Sequence, residues 1–306
     1  MNRTPRVSVG LPVYNGERFL PSAVESVLGQ TFRDFTLVIT DNASTDGTQH
    51  ICEEFARKDS RIKYHRNQTN IGGPANFNLA YTLATEEYFK WMAHDDVIAP
   101  RFLEKCVSAL EEDKSAVLAH SRTRLIDEKG EALGDYVEQL ESGSAHPHTR
   151  FHSLIAVKHS CFQIFGVMRS DVVRRTKLLT PYASSDRWFL AHLSLLGRFS
   201  EVPEYLYSRR SHPGASWDPG DRYSWNWWNP SLKSSTTFPF ARKILEYSKA
   251  IENSSLGPYE RIMSYCQVAR WLGDALARVV IRRRQLAFEQ SQVLLPVQHQ
   301  NPNVSE

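Results

Sequence analysis

The sequence Val7-Ser-Val-Gly-Leu-Pro-Val-Tyr-Asn15 begins as a β-rich strand and ends in residues where a loop should start. Apolar side chains at helical spacing follow over residues 19–30. Strand patterns and helical patterns then alternate as far as residue 126, which predicts an α/β fold with a parallel sheet and crossover helices. The strand patterns cover residues 7–13, 35–40, 61–65 and 88–92, and the helical patterns cover residues 19–30, 48–58 and 102–110.

The rest of the chain divides into further elements and a helical C-terminal part. An acidic, Gly-rich and finally His/Pro-rich composition over residues 127–148 predicts a turn and a mobile loop. The patterns that follow indicate a strand over 161–168, a helix over 186–196, a strand over 199–207 and a helix over 258–290. We expect a main domain over 1–215, a Trp-rich loop or lid over 216–240, a helical region over 241–295 and a disordered tail over 296–306.

The bulk composition narrows the class of protein. The 306 residues are 41% hydrophobic and 23% charged, and the formal charge of +3 suits a small anionic ligand without indicating a nucleic-acid partner. The four cysteines are scattered, which argues against a thiolate zinc site and a disulfide framework. Because neither a leader nor an apolar run of roughly 18–20 residues is seen, we expect a cytoplasmic protein.

Polar residues follow the first two predicted strands. Ligands of open α/β sheets bind outside the carboxyl ends of the strands, so Pro12, Tyr14 and Asn15 are candidates for holding a nucleotide. Asp41 lies at the tip of the second strand, where its carboxylate could accept a hydrogen bond from a base imide. Capping of the next helix by Asp41, Ser44 and Asp46 is the alternative interpretation.

A third motif, Trp91-Met-Ala-His-Asp-Asp-Val-Ile-Ala-Pro100, contains two adjacent carboxylates, Asp95 and Asp96. A hard divalent cation with phosphate oxygens prefers such ligands, although a solvated turn before a helix would contain the same residues. The Gly-rich signatures of dinucleotide-binding and P-loop proteins are absent, so a metal and side chains must hold phosphate. In the turn Asn70-Ile-Gly-Gly-Pro-Ala-Asn76, backbone N–H groups and Asn76 could face the ligand.

Taken in order, five motifs resemble the nucleotide-binding half of family 2 inverting glycosyltransferases with the GT-A fold. They are Pro12-Val-Tyr-Asn15, Gln30-Thr-Phe32, Asp41-Asn-Ala-Ser-Thr-Asp-Gly-Thr48, Asn70-Ile-Gly-Gly73 and His94-Asp-Asp-Val-Ile-Ala-Pro100. The resemblance covers roughly residues 5–215 and implies a Rossmann-like, mostly parallel sheet flanked by helices, with a C-terminal helical extension. It also implies that Pro12, Tyr14 and Asp41 contact the nucleobase and ribose of a nucleotide-sugar donor. Asn15 and Asn76 are candidate donor contacts from the residue patterns alone.

The same resemblance gives a metal site. His94-Asp95-Asp96 takes the place of the family's Asp-x-Asp motif, and Ala93 occupies its first acidic position. Asp95 and Asp96 would therefore bind Mn²⁺ or Mg²⁺, with His94 beside the donor. In Arg209-Arg-Ser-His-Pro-Gly-Ala-Ser216, His212 is the candidate third metal ligand, and Arg210 a diphosphate contact that would stabilise the leaving group. A structural histidine is the alternative for His212.

The resemblance extends to a catalytic base and an acceptor site. Asp186 in Ser184-Ser-Asp-Arg-Trp188 resembles the family's catalytic carboxylate, which removes a proton from the acceptor hydroxyl. A helix N-cap is its alternative role. Trp188 and Trp217 are the candidate acceptor contacts. The Trp-rich loop would be a lid over the donor, a stacking platform for a sugar, or a satellite core.

The last predicted helix contains Arg278 and the run Arg282-Arg-Arg284 beside apolar residues. Such a basic amphipathic stretch predicts peripheral contact with an anionic membrane surface, where lipid-linked acceptors are found. Packing onto the catalytic domain, with the arginines in solvent, is the alternative.

These observations lead to one functional hypothesis and two alternatives. The hypothesis is an inverting glycosyltransferase with Mn²⁺ or Mg²⁺, which moves a sugar, from UDP-sugar by preference, to a hydroxyl of a glycan, lipid-linked or small-molecule acceptor. A sugar nucleotidyltransferase is one alternative, although its Gly-rich phosphate loop is missing from Pro12-Val-Tyr-Asn-Gly16. A non-catalytic relative that binds a nucleotide-sugar or a glycan is the other.

Overall fold

A computed structural model of the chain describes residues 5–182, 184–213 and 239–293. Its strands are β1 (Val7–Val13), β2 (Phe35–Asp41), β3 (Ile62–Arg66), β4 (Tyr88–Trp91), β5 (Val97–Ile98), β6 (Ala116–Ile126), β7 (Ala132–Tyr136), β8 (Val167–Arg169) and β9 (Arg198–Arg210). Its helices are α1 (Leu20–Leu28), α2 (Thr48–Lys58), α3 (Gly73–Thr82), α4 (Phe102–Glu112), α5 (Pro147–Ala156), α6 (Ser170–Val173), α7 (Ser185–Leu196), α8 (Pro239–Glu252) and α9 (Pro258–Val293). A short 3₁₀ helix covers Phe162–Phe165.

The described strands form one mixed sheet in the order β3-β2-β1-β4-β8-β6-β9-β5, with β7 paired to β6. β1 to β4 pair in parallel, and β6 is parallel to β9. Because β8 is antiparallel to both β4 and β6, the β6–β9 pair runs in the same direction as β4. The carboxyl ends of β1, β2, β4, β6 and β9 therefore meet at one edge, which we call the carboxyl edge. The predicted α/β fold with a mostly parallel sheet is confirmed.

Helices cover both faces of the sheet. Every residue of β1 and β2 is buried, as expected for parallel strands with helices on both sides. One core cluster joins Val9 and Leu11 of β1 to the apolar faces of α1 and α4. A second cluster joins Phe89 and Trp91 of β4 to α5, α7, α8 and α9. The C-terminal helices thus share a core with the sheet.

Most of the predicted elements are confirmed. β1 and α2 have the predicted boundaries, and the other elements predicted up to residue 112 differ by no more than two residues at either end. The predicted helices over 186–196 and 258–290 correspond to α7 and α9, and the predicted strand over 199–207 lies within β9.

Two local predictions are wrong. Residues 161–168 do not form one strand, because the chain turns at Cys161, which has a φ of 58°, into the 3₁₀ helix, and β8 begins only at Val167. Residues 127–148 contain a strand as well as a turn. The Asp127 carboxylate accepts hydrogen bonds from the backbone N–H groups of Lys129 and Glu131, and the turn directs β7 back onto β6.

The predicted Trp-rich lid over 216–240 and the predicted tail over 296–306 lie outside the described residues, apart from the first two residues of α8. The division of the chain into these segments stays a prediction. Among the helices that the structure describes, none combines the length and the apolar composition needed to cross a bilayer.

Candidate active site

The fold brings three groups of predicted site residues to the carboxyl edge. Asp41 ends β2, Asp95 and Asp96 follow β4, and His212 follows β9. α7 ends immediately before β9 begins and packs against β6 and β9. Its first turn, which contains Asp186, therefore lies toward the carboxyl edge as well.

A chain of side-chain contacts connects the aspartates after β4 to α7. The Tyr207 hydroxyl donates a hydrogen bond to Asp96. The Tyr207 ring lies 6.4 Å from the Phe162 ring, centroid to centroid. Cys161, the residue before Phe162, interacts electrostatically with Asp186. The aspartates after β4 and Asp186 thus border the same region of the molecule.

The loops after β1 and β2 are tied together by hydrogen bonds. Asn15 has a left-handed backbone, with a φ of 51°, and its N–H donates to the Ser44 hydroxyl at 2.9 Å. Its side-chain oxygen accepts a hydrogen bond from the Thr45 N–H at 2.8 Å, and the Gly16 N–H donates to the Thr48 hydroxyl at 2.8 Å. Asn15 thus positions the second loop, and its contact with the donor stays a prediction.

Pro12 and Tyr14 differ in exposure. Pro12 is buried and lies opposite Thr40 in the β1–β2 register. It follows the last pairing of β1 with β4, at Gly10, so its missing N–H interrupts no ladder on that side. Tyr14 is partly exposed beyond the end of β1. The roles of both residues in binding the nucleoside stay predictions.

The Asp41 carboxylate is fully buried and accepts three hydrogen bonds. The Ser44 N–H donates at 2.8 Å, the Tyr64 hydroxyl at 2.9 Å, and the Arg66 guanidinium also donates. Burial and the hydrogen bond to Asp41 raise the pKa of Tyr64, so its hydroxyl keeps its proton. Arg66 faces Asp41 in the β2–β3 register, with 32% of its side chain exposed. Of the three residues that the sequence suggested as caps of α2, Asp46 accepts the N–H of the first residue of that helix.

Sequence reasoning missed Tyr64 and Arg66. The signal was their two-residue spacing at the end of a predicted strand, next to the strand that carries Asp41. Side chains two residues apart on a strand share a face. The position of β3 beside β2 was the information needed to use that signal.

Asn76 lies away from the cleft, because its amide joins α3 to the sheet. It is 2% exposed, donates to the Thr40 carbonyl at 2.7 Å and accepts from the Asn67 amide at 3.1 Å. We therefore assign Asn76 a positioning role in place of the predicted donor contact.

Asp95 and His212 form a largely buried ionisable pair at the site. Their side chains are 12% and 11% exposed, and His212 Nε2 lies 3.0 Å from Asp95 Oδ2. The His212 ring also packs on Phe19, with 4.7 Å between the ring centroids. Burial opposes ionisation of Asp95, but the hydrogen bond from His212 and the positive charges of His94 and Arg209 outweigh it and hold its pKa well below the usual range.

Asp96 points into the protein instead of toward the cleft. It is 1% exposed; its Oδ1 accepts the Arg210 N–H at 2.8 Å, and its Oδ2 accepts the Tyr207 hydroxyl. Burial, together with repulsion from Asp95, raises the pKa of Asp96. Both oxygens are thus engaged in fixing the end of β9. The role of Asp96 as a metal ligand stays a prediction.

Arg209, and not the predicted Arg210, lies beside the carboxylates that follow β4. The Arg210 side chain donates to the carbonyls of Asp95, Asp127 and Glu128, at 2.8, 3.1 and 3.0 Å, and is therefore committed to the fold instead of a diphosphate. Arg209 lies on the other face of β9, with Nη1 3.6 Å from Asp96 Oδ1. Within the described residues, this buried Nη1 makes no hydrogen bond. Arg209 is thus the cation that faces the carboxylates.

His94 packs against the loop after β1. A Cβ added at Gly16 would lie 2.7 Å from His94 Cδ2 and 2.5 Å from Val13 Cγ2, so only glycine permits this approach. His94 is partly buried beside Asp95. Its contact with the donor stays a prediction.

Asp186 lies in the first turn of α7, after Ser184, whose φ is 69°. Its Oδ1 accepts a hydrogen bond from the Arg187 N–H at 2.8 Å. Burial raises the pKa of Asp186 and outweighs the opposing hydrogen bonds and charge of Arg187 and Cys161. The Arg187 side chain donates to carbonyls at the end of α5, including that of Leu154 at 2.8 Å. The carboxylate is therefore held in place but retains basicity.

A second acidic group, missed by sequence reasoning, lies close to Asp186. Glu138 interacts electrostatically with Cys161 and Arg187, the two neighbours of Asp186. Burial raises the pKa of Glu138 to about 7. The Gln163 amide donates to one of its oxygens. The segment after β7 gave no repeating pattern by which this residue could have been found.

Trp188 belongs to the second core cluster and is 8% exposed, so we assign it a packing role in place of the predicted acceptor contact. Its Nε1 has no partner among the described residues and borders a small cavity shared with Ser185 and His192. Trp217, the other predicted acceptor contact, lies outside the described residues.

The donor groups at Asp95 and His212 fit a divalent cation. One carboxylate oxygen and one imidazole nitrogen lie 3.0 Å apart and are partly open to solvent. Mg²⁺ strongly prefers oxygen ligands, whereas imidazole suits transition metals, so the pair fits Mn²⁺ better than Mg²⁺. Two protein ligands leave positions for water and for diphosphate oxygens.

Comparisons with known proteins identify the family of the chain. The family model for Glycosyl transferase family 2 matches residues 8–174. A putative glycosyltransferase, EpsE of Bacillus subtilis, is 35% identical over 180 residues, which cover 58% of this chain and 64% of that protein. An uncharacterized glycosyltransferase of Haemophilus influenzae is 29% identical over 220 residues, 69% of this chain and 67% of that protein.

Solved structures share the fold. S. aureus TarS (residues 1–349), in complex with UDP-GlcNAc, aligns over 87% of this chain and 71% of that chain with a TM-score of 0.65 and 20% identity. The mannosyltransferase PcManGT from Pyrobaculum calidifontis, in complex with GDP-Man and Mn²⁺, aligns over 94% of this chain and 81% of that chain with a TM-score of 0.54 and 15% identity. The family match covers more than half of the chain, so this protein belongs to glycosyl transferase family 2 and is a glycosyltransferase.

Proposed function

We propose that this glycosyltransferase moves a sugar from a UDP-sugar to an acceptor hydroxyl with inversion at the anomeric carbon, using a divalent cation and Asp186 as general base. The observation that carries the proposal is the placement of the Asp95–His212 pair and of Asp186 at the same edge of the sheet. The Asp95–His212 pair suits the leaving diphosphate, and Asp186 suits the attacking hydroxyl.

On the donor side, Asp95 and His212 hold the cation, which we propose to be Mn²⁺. When bound, the cation neutralises charge on the diphosphate as that group leaves. The Arg209 guanidinium, 3.6 Å from Asp96, adds a fixed positive charge at this site. Preorganised positive charge stabilises the transition state most, because the negative charge of the leaving group grows there.

At the tip of β2, Asp41 and Arg66 offer a hydrogen-bond acceptor next to a donor. A uracil ring presents the complementary pair, an imide N–H beside a carbonyl oxygen. The Arg66 side chain is partly exposed, so it can turn from Asp41 to the base. UDP is therefore our proposed carrier, in line with the UDP-GlcNAc in the TarS structure.

On the acceptor side, the Asp186 carboxylate takes the proton of the acceptor hydroxyl. The hydroxyl oxygen forms a bond to the anomeric carbon on the face opposite the diphosphate, and the bond from that carbon to the diphosphate oxygen breaks. Nucleoside diphosphate leaves, and one displacement inverts the anomeric configuration. The raised pKa of Asp186 matches a group that must accept a proton.

The acceptor that we propose is a glycan, a lipid-linked sugar or a small hydroxylated molecule. Glu138, beside the neighbours of Asp186, is placed to accept a hydrogen bond from another acceptor hydroxyl. Peripheral membrane contact through α9 stays a proposal. Arg278 and Ile281 are exposed on this helix, and the side chains of Arg282, Arg283 and Arg284 lie outside the described part of the chain.

Calorimetry with the full chain tests this proposal. UDP, GDP and dTDP are titrated in turn, with Mn²⁺ and with a chelator. We expect UDP to bind most tightly, and this binding to require Mn²⁺. His212→Ala should weaken it, whereas replacement of the exposed His50 by alanine should not. Tighter binding of another base would overturn the UDP assignment, and equal affinity with chelator would overturn the role of the metal.

A further inference from the structure

His146, His148 and Glu260 form a cluster between the start of α5 and the start of α9. The carboxylate of Glu260 lies between the two imidazoles. Its Oε1 is 3.3 Å from His146 Nδ1, and its Oε2 is 2.7 Å from His148 Nδ1. One ligand atom from each of the three residues lies within 4.8 Å of the other two.

The cluster lies at the end of the molecule opposite the active site. Arg150, in the first turn of α5, donates to the Ser194 carbonyl near the end of α7. Leu154, near the end of α5, accepts a hydrogen bond from Arg187 in the first turn of α7. α5 is therefore antiparallel to α7, and its first residues lie beside the end of α7 that is remote from Asp186.

The ligand types and their spacing suit a transition metal. Two imidazole nitrogens and one carboxylate oxygen are ligands that Zn²⁺ accepts, at bond lengths of about 2.0–2.1 Å. In a tetrahedral site such ligand atoms lie about 3.3 Å apart, so the His148–Glu260 contact would open by a few tenths of an ångström. The side chain of His146 is 65% exposed, that of His148 14% and that of Glu260 20%, which gives an ion access from solvent.

Without an ion, the cluster has a simpler role. Glu260 Oε2 accepts the backbone N–H of His148 at 3.2 Å, in the first turn of α5, where an anion is favourable. Helix capping fixes Glu260, but it gives no role to His146, whose imidazole turns toward the same carboxylate.

We propose that His146, His148 and Glu260 bind a transition-metal ion such as Zn²⁺, at a site separate from the catalytic cation, and that this ion fastens α9 to α5. Three protein ligands leave at least one position for water. The ion would stabilise the packing of the C-terminal helix on the catalytic core, because α5 contacts both α9 and α7.

The test uses the full chain after treatment with chelator, titrated with Zn²⁺ by calorimetry and with Co²⁺ by visible absorption. We expect one ion to bind with micromolar or tighter affinity and to raise the melting temperature. An ion that binds the native state and not the unfolded state stabilises the native state by mass action. His146→Ala removes an exposed side chain, so the variant should fold normally, bind Zn²⁺ at least about tenfold more weakly and lose the thermal shift.

Two control variants separate this site from others. His50→Ala removes another exposed histidine and should leave the Zn²⁺ affinity unchanged. Asp95→Asn alters the catalytic site and should also retain the tight Zn²⁺ ion. The proposal is overturned if His146→Ala binds Zn²⁺ as the wild type does, if Asp95→Asn removes the tight ion, or if no ion binds at micromolar concentration.

Discussion

The two sides of the carboxyl edge differ in how their carboxylates are partnered. On the donor side, Asp41 is fully buried and accepts hydrogen bonds from Ser44, Tyr64 and Arg66. On the acceptor side, Asp186 accepts a hydrogen bond from the Arg187 N–H, and burial raises its pKa.

This difference matches the proposed chemistry of each side. A binding group works best when it is ionised and held in position before the ligand arrives, and Asp95 with its lowered pKa also fits that description. A general base must exchange a proton, so it benefits from a pKa closer to neutral. Asp41 and Asp95 on the donor side therefore suit binding, and Asp186 on the acceptor side suits proton transfer.

The largest expected effect comes from Asp95→Asn. Loss of the cation removes several kcal/mol of transition-state stabilisation, so turnover should fall by about a thousandfold or more. UDP binding should also lose its dependence on Mn²⁺. Steady-state kinetics and calorimetry measure the two effects. Lys63→Gln, which changes an exposed charge on β3, is the matched control and should keep the wild-type turnover. Mn²⁺-dependent turnover of Asp95→Asn at the wild-type rate would refute the account.

Asp41→Asn should weaken donor binding with less effect on the chemical step. Removing one charged partner of a buried hydrogen-bond network costs about 1–3 kcal/mol, a factor of about 10–100 in Kd for UDP. The variant should retain most of its turnover at saturating donor. A fall in kcat with an unchanged Kd would show that the two sides are not divided as proposed. Arg66→Met offers a second variant on the exposed partner.

The pH dependence should report the acceptor side. Asp186 acts as base only when ionised, and its pKa is raised above the usual value of about 3.9, so the loss of turnover on acidification should begin at a correspondingly higher pH. Below that pKa, turnover should fall about tenfold for each pH unit. Mn²⁺-dependent UDP binding should also weaken on acidification, because the His212 imidazole must lose its proton to bind Mn²⁺ and the hydrogen bond to Asp95 raises its pKa. Turnover is therefore measured at saturating UDP-sugar and Mn²⁺, and a turnover that stays constant down to the usual pKa of an aspartate would contradict the role of Asp186.

The smallest effect is expected from Glu138→Gln. The amide keeps the shape of the side chain and loses one charge, so KM for the acceptor should rise a few fold, in line with about 1 kcal/mol for a hydrogen bond. UDP affinity should not change. The exposed Glu131→Gln on the turn before β7 serves as control. An effect of Glu138→Gln on donor binding alone would show that Glu138 does not contact the acceptor.

Some of this arrangement follows from the sequence, and some does not. Asp186 was predicted from the family resemblance. Periodicity predicted β1 and α2 at their observed boundaries, and the ends of the predicted strands placed Asp41 and Asp95 at the carboxyl edge. Those predictions needed only local patterns and the rule that ligands bind where parallel strands end.

The direction of individual side chains was not predictable in the same way. Asp96 turns inward because Tyr207 donates to it, and these residues are 111 positions apart. Arg210 is buried and Arg209 faces the site because β9 alternates its faces, a choice that depends on which strand lies beside it. Such choices follow from strand order, which a single sequence does not reveal.

The central claim is that Asp186 moves a proton while other residues hold the donor, and Asp186→Asn tests it directly. Burial of the charged form costs stability once the pH exceeds the unfolded pKa, so the asparagine variant should melt no lower than the wild type at neutral pH. With the best-bound UDP-sugar and Mn²⁺, turnover should fall about 10²–10⁴-fold while UDP affinity stays unchanged. Turnover at the wild-type rate in Asp186→Asn would contradict the account. Binding of UDP-sugar by the wild-type protein without any sugar transfer would also contradict it, and would indicate a non-catalytic relative that only binds the donor.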